Sequence, residues 1–474
     1  MQAAEIEEQK TEARAEKRGA AVSALAHRNF RLFWAGGFLS NVGTWMQALA
    51  QGWLMYELTH SAFWLGFDGF CATAPAIILT PLGGVFADIL DRRRMLLASQ
   101  VVAGASALVL SLVIWTNLVR FPMILAASLV TGCCFALASP AYQAFIIELV
   151  GRKDLSNAIA LNSAQFQLSR VLGPVLAGLA FRFVGVAGCF FVNGISYVAI
   201  VGALAMVRLP KRGAAAATRP ADSTTAGDEP VAPTTRDDVD AVNEHEREIA
   251  AALSVSEGAR EIGPAATRPA ISRQDVWRDL KEGFRYMLGR PRVFTLLVIS
   301  SVTSVFGAPY MTMMPLFARD VFHLDASGLS IMMGVAGAGA FFGAVGLALL
   351  GDVRRKGLFV LGGTLTFGAC VVGFALSTTL VPALVFLFLI GFGIVSSIAV
   401  VNMLLQHLVT DEMRGRVMSM FMLSFFGAFP VGNLLVGVTA PRYGAPHTLA
   451  VGGAVIVVFA AAVALFNPRL RALD

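Results

Sequence analysis

Asp68 and Arg170 are the two ionisable residues that fall well inside the long apolar runs of this 474-residue chain. An ionised group in hydrocarbon costs several kcal/mol unless it is paired or wetted, so residues of this kind mark proton relays, ion pathways or ligand sites by default. A carboxylate at Asp68 that opens alternately to either side can exchange a proton for a substrate; the alternative is a side chain that snorkels to the outer headgroups, roughly seven residues or ~10 Å away along its helix. Arg170 lies a similar distance from the inner end of its own helix. A guanidinium there either attracts an anionic substrate or forms a structural ion pair, with Glu148 as the partner that would close an inner gate. At these depths the two are not expected to pair with each other.

A neutral polar stripe accompanies them. Ser40, Thr44, Gln47 and Gln51 recur at spacings of four, three and four, with Asn41 alongside, which makes one helix face polar for three turns. Such groups in a membrane need water or partners. They line a substrate cavity, the preferred reading, or hydrogen-bond to neighbouring helices inside a dry bundle. Trp45, Trp53, Tyr197 and Tyr310 add aromatic surface for a substrate or, singly, for packing.

Two motifs suit moving helices. In the run from Gly83 to Arg94, glycines permit close approach of a neighbouring helix, Asp88 can accept hydrogen bonds from a helix N-terminus, and Arg92, Arg93 and Arg94 anchor to phosphates and carboxylates. Gly84, Asp88 and Arg92 stand four residues apart, which is more specific than topogenic charge. Farther on, Gly173-Pro174 and Gly178 place a proline, which leaves a backbone carbonyl without its donor, among small residues; such a helix can bend or rock.

The elements that must position these residues follow from composition. The chain is 56% hydrophobic and 14% charged, with 34 Phe against six Trp and six Tyr, too apolar for a soluble globular protein. Apolar runs of about 20 residues, enough to cross ~30 Å of hydrocarbon, are expected at 32–56, 61–87, 95–117, 121–147, 163–184 and 186–207. A second six are expected at 293–318, 326–350, 358–379, 381–407, 417–441 and 446–467. The predicted fold is therefore an all-α integral membrane protein of twelve transmembrane helices in two pseudo-symmetric six-helix bundles. The five cysteines lie in apolar stretches without metal-ligand spacing, so no metal or cofactor is expected.

Lys and Arg gather in alternate short loops, at Arg92 to Arg94, Arg152 and Lys153, Arg354 to Lys356, and Arg414 and Arg416, against single arginines at 120, 182, 319 and 442 on the other side. The +6 charge thus reads as topology rather than nucleic-acid binding, and both termini are expected in the cytoplasm. Residues 1–28 form a charged tail without the features of a cleaved signal peptide. The N-terminal bundle takes 29–208, a Pro-, Thr- and Ala-rich tether 209–274 cannot bury enough surface to fold, and 275–290 reads as an amphipathic helix on the inner leaflet or as a cytosolic start to the seventh span. The C-terminal bundle takes 291–468, with a tail at 469–474.

One offset of 259 residues relates the halves: Leu149 and Val150 to Leu408 and Val409, and Gly173, Gly178 and Gly185 to Gly432, Gly437 and Gly444. Six spans separate the copies, so both run the same way through the membrane, the arrangement of parallel repeats with a site between them near mid-membrane.

The loop motif resembles the Gly-x-x-x-Asp-x-x-Gly-Arg-Arg pattern of the major facilitator superfamily. Gly84, Asp88, Arg92 and Arg93 match it, with Asp91 in place of the final glycine and Ile89 in place of the usual arginine. A weaker second copy holds Asp352 and Arg355, with Ala348 where the leading glycine belongs. The resemblance implies that Asp88 belongs to a cytoplasmic gate that locks the outward-facing state against the eleventh span. Arg170 to Gly178 resembles the antiporter motif of exporters, with Ala177 replacing one glycine. The stretches His27 to Phe33, Leu280 to Tyr286, Met314 to Asp320, Asn193 to Ser196 and Arg414 to Val417 are similar to the drug and siderophore exporter branch, which includes enterobactin exporters and macrolide efflux proteins. The fourth span departs from proton-coupled members, because Val130 to Ala141 lacks their arginine.

The expectation is a monomeric secondary active transporter in the cytoplasmic membrane, exporting a drug, siderophore or similar small molecule by alternating access in exchange for protons. Nutrient uptake and lipid flipping are the alternatives within transport. A membrane receptor or enzyme is the non-transport alternative, and an enzyme is disfavoured: the inner loops carry no Walker loop, His-Glu-x-x-His or Gly-x-Ser-x-Gly pattern, and Gly337 to Gly343 misses the dinucleotide spacing by one residue.

Overall fold

The computed structural model describes residues 23–151, 153–207, 285–350 and 355–471. The first span is Arg28–Thr59 and the second is Ala62–Thr73 continued by Pro75–Ile89. The third and fourth are Arg92–Trp115 and Phe121–Val150. The fifth and sixth form one helical stretch, Leu155–Met206, divided at Gly185. The seventh runs through Pro291–Phe306, Tyr310–Leu316 and a π-helical turn at Phe317–Val321. The eighth to tenth are Ala326–Leu350, Lys356–Ala375 and Leu380–Leu408. The eleventh is Asp411–Phe426 with Phe429–Tyr443, and the twelfth is Ala445–Phe466.

Ten helical stretches among the described residues are long and apolar enough to cross a membrane. Leu155–Met206 holds two crossings, and Arg28–Thr59, with its polar stripe, completes the twelve. The first, seventh, tenth and eleventh spans overrun the expected bounds at both ends, because helices continue past the hydrocarbon until a capping residue stops them, while the third and ninth end short at Trp115 and Ala375. Asp91 is such a cap: its side chain accepts from Arg94 N at 3.0 Å and starts the third span. The expected hairpin near 185 is a single residue. Gly185 has φ 67°, a conformation glycine adopts without a Cβ penalty.

The repeat is realised in three dimensions. A Cβ on Gly173 would lie 2.9 Å from Val42 O of the first span, and one on Gly432 would lie 3.0 Å from Pro309 Cγ of the seventh. A Cβ on Gly178 would lie 2.9 Å from Ser330 Cβ of the eighth, and one on Gly437 would lie 3.1 Å from Gly66 Cα of the second. Gly185 and Gly444 both take positive φ, 67° and 83°, where the fifth and eleventh spans turn into the next. Each glycine thus performs in one half the task its counterpart performs in the other. The seam between halves is fifth span on eighth and second on eleventh. Such close backbone approach supplies the van der Waals contact that holds membrane helices together.

The glycine-proline pairs interrupt two spans near their middles. Gly307 to Pro309 separates the two segments of the seventh span, and Gly427 with Ala428, just before Pro430, separates those of the eleventh. Pro174 lies inside continuous helix, since Gly185 is the position in that stretch with non-helical torsions. Apolar packing is uneven along the seam. One cluster joins both halves, with Leu49, Met55 and Phe190 alongside Tyr310, Met313 and Phe317; another, with Val293, Val360, Leu404 and Phe421, belongs to the second half alone.

Candidate functional site at the seam between the halves

At the arginine-poor end the halves are tied by polar contacts. The Tyr56 hydroxyl donates to Asp320 Oδ2, Arg319 Nη1 lies 3.4 Å from Glu57 Oε1, and the Arg319 guanidinium stands 5.8 Å from the Trp53 ring centre. Two neighbouring residues on the first span therefore meet two on the π-helical turn of the seventh. None of these four was singled out as a site in the sequence. The signal was present: an Arg-Asp pair closes one of the family-like stretches, but a helix-end charge carries no information about its partner.

Arg170 sits on the same seam nearer its middle. Its guanidinium lies over the Trp45 ring at 5.6 Å, Nη2 is 3.9 Å from Met311 Sδ, and its carbonyl is 2.5 Å from where a Cβ on Gly337 would stand. The expected pairing with Glu148 is not formed, and among the described residues no ion pair holds Arg170. Glu148 Oε1 instead takes Arg92 Nη1 at 2.6 Å, because the fourth span ends beside the loop after the second. Arg170 Nε and Tyr310 Oη are buried without hydrogen-bond partners, and Tyr310 is 1% exposed.

Asp68 is 7% exposed and bonded within the first half. Ser128 Oγ of the fourth span donates to Asp68 Oδ1, and Gln51 Nε2 of the first span donates to Asp68 Oδ2 at 3.0 Å and to Ser128 Oγ at 2.6 Å. The carboxylate does not snorkel. The stripe is bonded within its own half: Gln47 Oε1 accepts from Asn193 Nδ2 of the sixth span at 2.6 Å, Thr44 Oγ1 donates to Ser40 O at 2.9 Å, and Ser40 is buried. Gln47 and Gln51 thus bond to neighbouring helices of their own half, the alternative left open by the sequence. Periodicity shows which residues share a face and not which helix meets it. Asn41 is half-buried next to this face.

At the arginine-rich end the glycine-acid-arginine motif faces two ways. A Cβ on Gly83 would stand 2.7 Å from Leu137 O, so Gly83 supplies the close approach to the fourth span. A Cβ on Gly84 would meet nothing within 4 Å, and the Asp88 side chain is 65% exposed, 3.8 Å from Arg92 Nη2. Among the described residues, Gly84 brings no helix close and Asp88 takes no helix N-terminus. Arg92 also donates from Nε to Ala87 O at 3.1 Å, and Arg93 Nη2 donates to Ala205 O at 2.8 Å, fixing the end of the sixth span. Asp352 and Arg354 lie outside the described residues, as do the 209–274 tether and most of 275–290. Arg355 begins the ninth span with φ 58°. The described end of 275–290 docks on the second half: Met287 is in its core, and Arg290 donates to Leu408 O at 3.2 Å.

The N-terminal turn Ser23–Ala26 docks on the loop before the fifth span. Ser23 Oγ donates to Asp154 Oδ1 at 2.7 Å, His27 Nε2 is 2.8 Å from Asp154 Oδ2, and Ala24 N donates to Asn157 Oδ1 at 3.0 Å. The hydrogen bonds from His27 and Ser23 hold the Asp154 carboxyl below the usual carboxylate range.

The profile of a family described as transmembrane secretion effector matches residues 19–225 and 259–474. Macrolide efflux protein A of Streptococcus pyogenes is 20% identical over 456 residues, covering 94% of this chain and 97% of that one. The multidrug efflux pump Tap of Mycolicibacterium fortuitum is 22% identical, covering 92% and 94%, and the enterobactin exporter EntS of Escherichia coli is 23% identical, covering 87% and 85%. Among solved structures, a POT family peptide-conjugate complex superposes with a TM-score of 0.67 at 13% identity, covering 94% of this chain and 96% of that one. A bacterial homologue of the lysosomal transporter Spinster gives 0.64 at 13%, covering 94% and 97%. These superpositions show a shared fold. With twelve membrane helices in two related halves and a family match over most of its length, the chain belongs to the transmembrane secretion effector family of major facilitator transporters and is a transporter, not an enzyme.

Proposed function

We propose that the protein exports an amphipathic small molecule, a drug or siderophore-like metabolite, across the cytoplasmic membrane by alternating access, with the arginine-rich end in the cytoplasm. The observation that carries the reading is the asymmetry of the seam. The arginine-poor end is closed by Tyr56–Asp320 and Glu57–Arg319, whereas at the arginine-rich end no described residue comes within 4 Å of a Cβ on Gly84 and the Asp88 side chain is 65% exposed. That is the geometry of a carrier loading from inside, with Gly84 and Asp88 free to receive the eleventh span when the halves rock. Residues 1–28 then form a cytoplasmic tail and 209–274 a cytoplasmic tether between bundles 29–208 and 291–468.

Asp68 is the residue we assign to proton coupling. It is a buried carboxylate held by neutral donors alone, Gln51 and Ser128, so a proton can be added without breaking an ion pair. The protein works as a monomer, with lipid around both bundles. Export, uptake and lipid flipping are separated by accumulation of labelled solutes in everted against right-side-out vesicles under an imposed pH gradient. Export predicts accumulation in everted vesicles; accumulation confined to right-side-out vesicles supports uptake, and movement of a fluorescent lipid between leaflets supports flipping.

A further inference from the structure

We propose that Arg170, Trp45 and Tyr310 form an anion-binding site on the seam, so that the transported molecule is an organic anion bearing an aromatic or other flat apolar part. This rests on the transport reading and deepens it by naming a substrate class.

The argument begins with an unbalanced charge. Four carboxylates on the spans have other partners: Asp68 takes Gln51 and Ser128, Glu148 takes Arg92, Asp320 takes Tyr56, and Glu57 takes Arg319. Among the described residues no carboxylate lies within 4.0 Å of the Arg170 guanidinium; its neighbours are the Trp45 ring, the Met311 sulfur and the Tyr310 hydroxyl. A cation in a low-dielectric seam whose neighbours are a ring face, a thioether and a neutral hydroxyl is incompletely compensated.

The surrounding atoms suggest what completes it. Arg170 Nε and Tyr310 Oη are both buried without acceptors, and both can donate to one oxyanion. Trp45 presents its ring beside the guanidinium, and Phe166, 45% exposed, packs edge-on against it at 6.0 Å. Donors on one side and aromatic faces on the other match a carboxylate or phenolate carried on a ring. The donors also come from both halves, Arg170 on the fifth span and Tyr310 on the seventh, so a bound anion would bridge the surfaces that move past each other. Sequence periodicity offers no hint of this, because Phe429 stands at the repeat counterpart of Arg170.

Salicylate and salicylamide, one ring with and without the carboxylate, test the proposal on the purified full chain in lipid nanodiscs. Radiolabelled salicylate should bind saturably and be displaced by unlabelled salicylate but not by salicylamide. Arg170→Gln should weaken binding at least tenfold, and Arg170→Lys should fall between, since it keeps the charge and loses the fork. Absence of saturable binding, equal displacement by salicylamide, or unchanged affinity in Arg170→Gln would overturn the site. The salicylamide arm uses the unaltered protein and so does not depend on either variant folding. The export reading stands or falls separately: ethidium accumulation in everted vesicles that survives Arg170→Gln, alongside failed salicylate binding, would remove the anion site and leave export intact.

Discussion

Tyr56 at the end of the first span donates its hydroxyl hydrogen to Asp320 on the seventh, and the adjacent residues Glu57 and Arg319 stand 3.4 Å apart. The four side chains make a latch at the arginine-poor end of the seam; nearer its middle Gln167 Nε2 of the fifth span also donates to Ala340 O of the eighth at 3.3 Å. Asp320 and Glu57 are exposed, so solvent screens the pair and the latch stabilises the closed end by about 1.4 kcal/mol, roughly tenfold in population. Arg319→Ala combined with Asp320→Ala should expose Met313, which is fully buried on the seam. A cysteine at Met313 should react roughly tenfold faster with an impermeant maleimide in the latch variant than in a chain with the latch intact.

The glycines divide into those already used and those still waiting. A side chain at Gly173 or Gly437 must displace backbone of a neighbouring span, so Gly173→Val and Gly437→Val should each destabilise the protein by about 1–3 kcal/mol, read as a lowered thermal unfolding temperature in detergent. Gly84→Val meets open space here and should leave that temperature unchanged, while slowing transport if the eleventh span must close on it. Equal destabilisation by all three would refute the distinction.

Asp68→Asn preserves the size of the side chain and a hydrogen-bonding group for Gln51 and Ser128. The variant should fold and still bind substrate, yet lose accumulation driven by a pH gradient. Transport that still responds to the gradient would take Asp68 out of coupling. Ser128→Ala removes a donor from a buried carboxylate and should cost about 1–3 kcal/mol of stability.

The N-terminal clamp has a pH dependence whose sign follows from Asp154. Its carboxyl sits below the usual range because His27 and Ser23 hydrogen-bond the charged form, so the stabilisation is fully present above the ordinary Asp value of about 3.9 and is lost as pH falls through the depressed one. Hydrogen exchange at the Ala24 amide, which bonds to Asn157, should accelerate relative to a helix-interior amide on acidification below that range. Asp154→Asn should show the faster exchange already at neutral pH.

Span number and the 259-residue repeat were legible in the sequence, because hydrocarbon thickness fixes run length and the paired glycines recur in order. Gly185 and Gly444 were readable as equivalent and prove to share positive φ. The polar stripe was legible as a stripe, but its bonding to Asn193, Ser128 and Asp68 was not, since those partners lie 17 to 146 residues away along the chain. The Tyr56–Asp320 contact spans 264 residues and depends on which end of the seam is closed, a property of one conformation that a sequence shared by all conformations does not encode. Glu148 shows the same limit at short range: Arg170 was its expected partner, and the packing of the fourth span beside the second chooses Arg92 instead.

The central claim, two halves rocking about one seam, is tested most directly by electron–electron distance measurements on two pairs of spin labels, with the five native cysteines replaced. One pair, at Ile89 and Ser419, reports the arginine-rich end, and the other, at Leu118 and Leu376, the arginine-poor end; all four positions are exposed. Opening the latch with Arg319→Ala and Asp320→Ala should shorten the first distance while lengthening the second. Distances that stay fixed, or that lengthen together, would contradict the account.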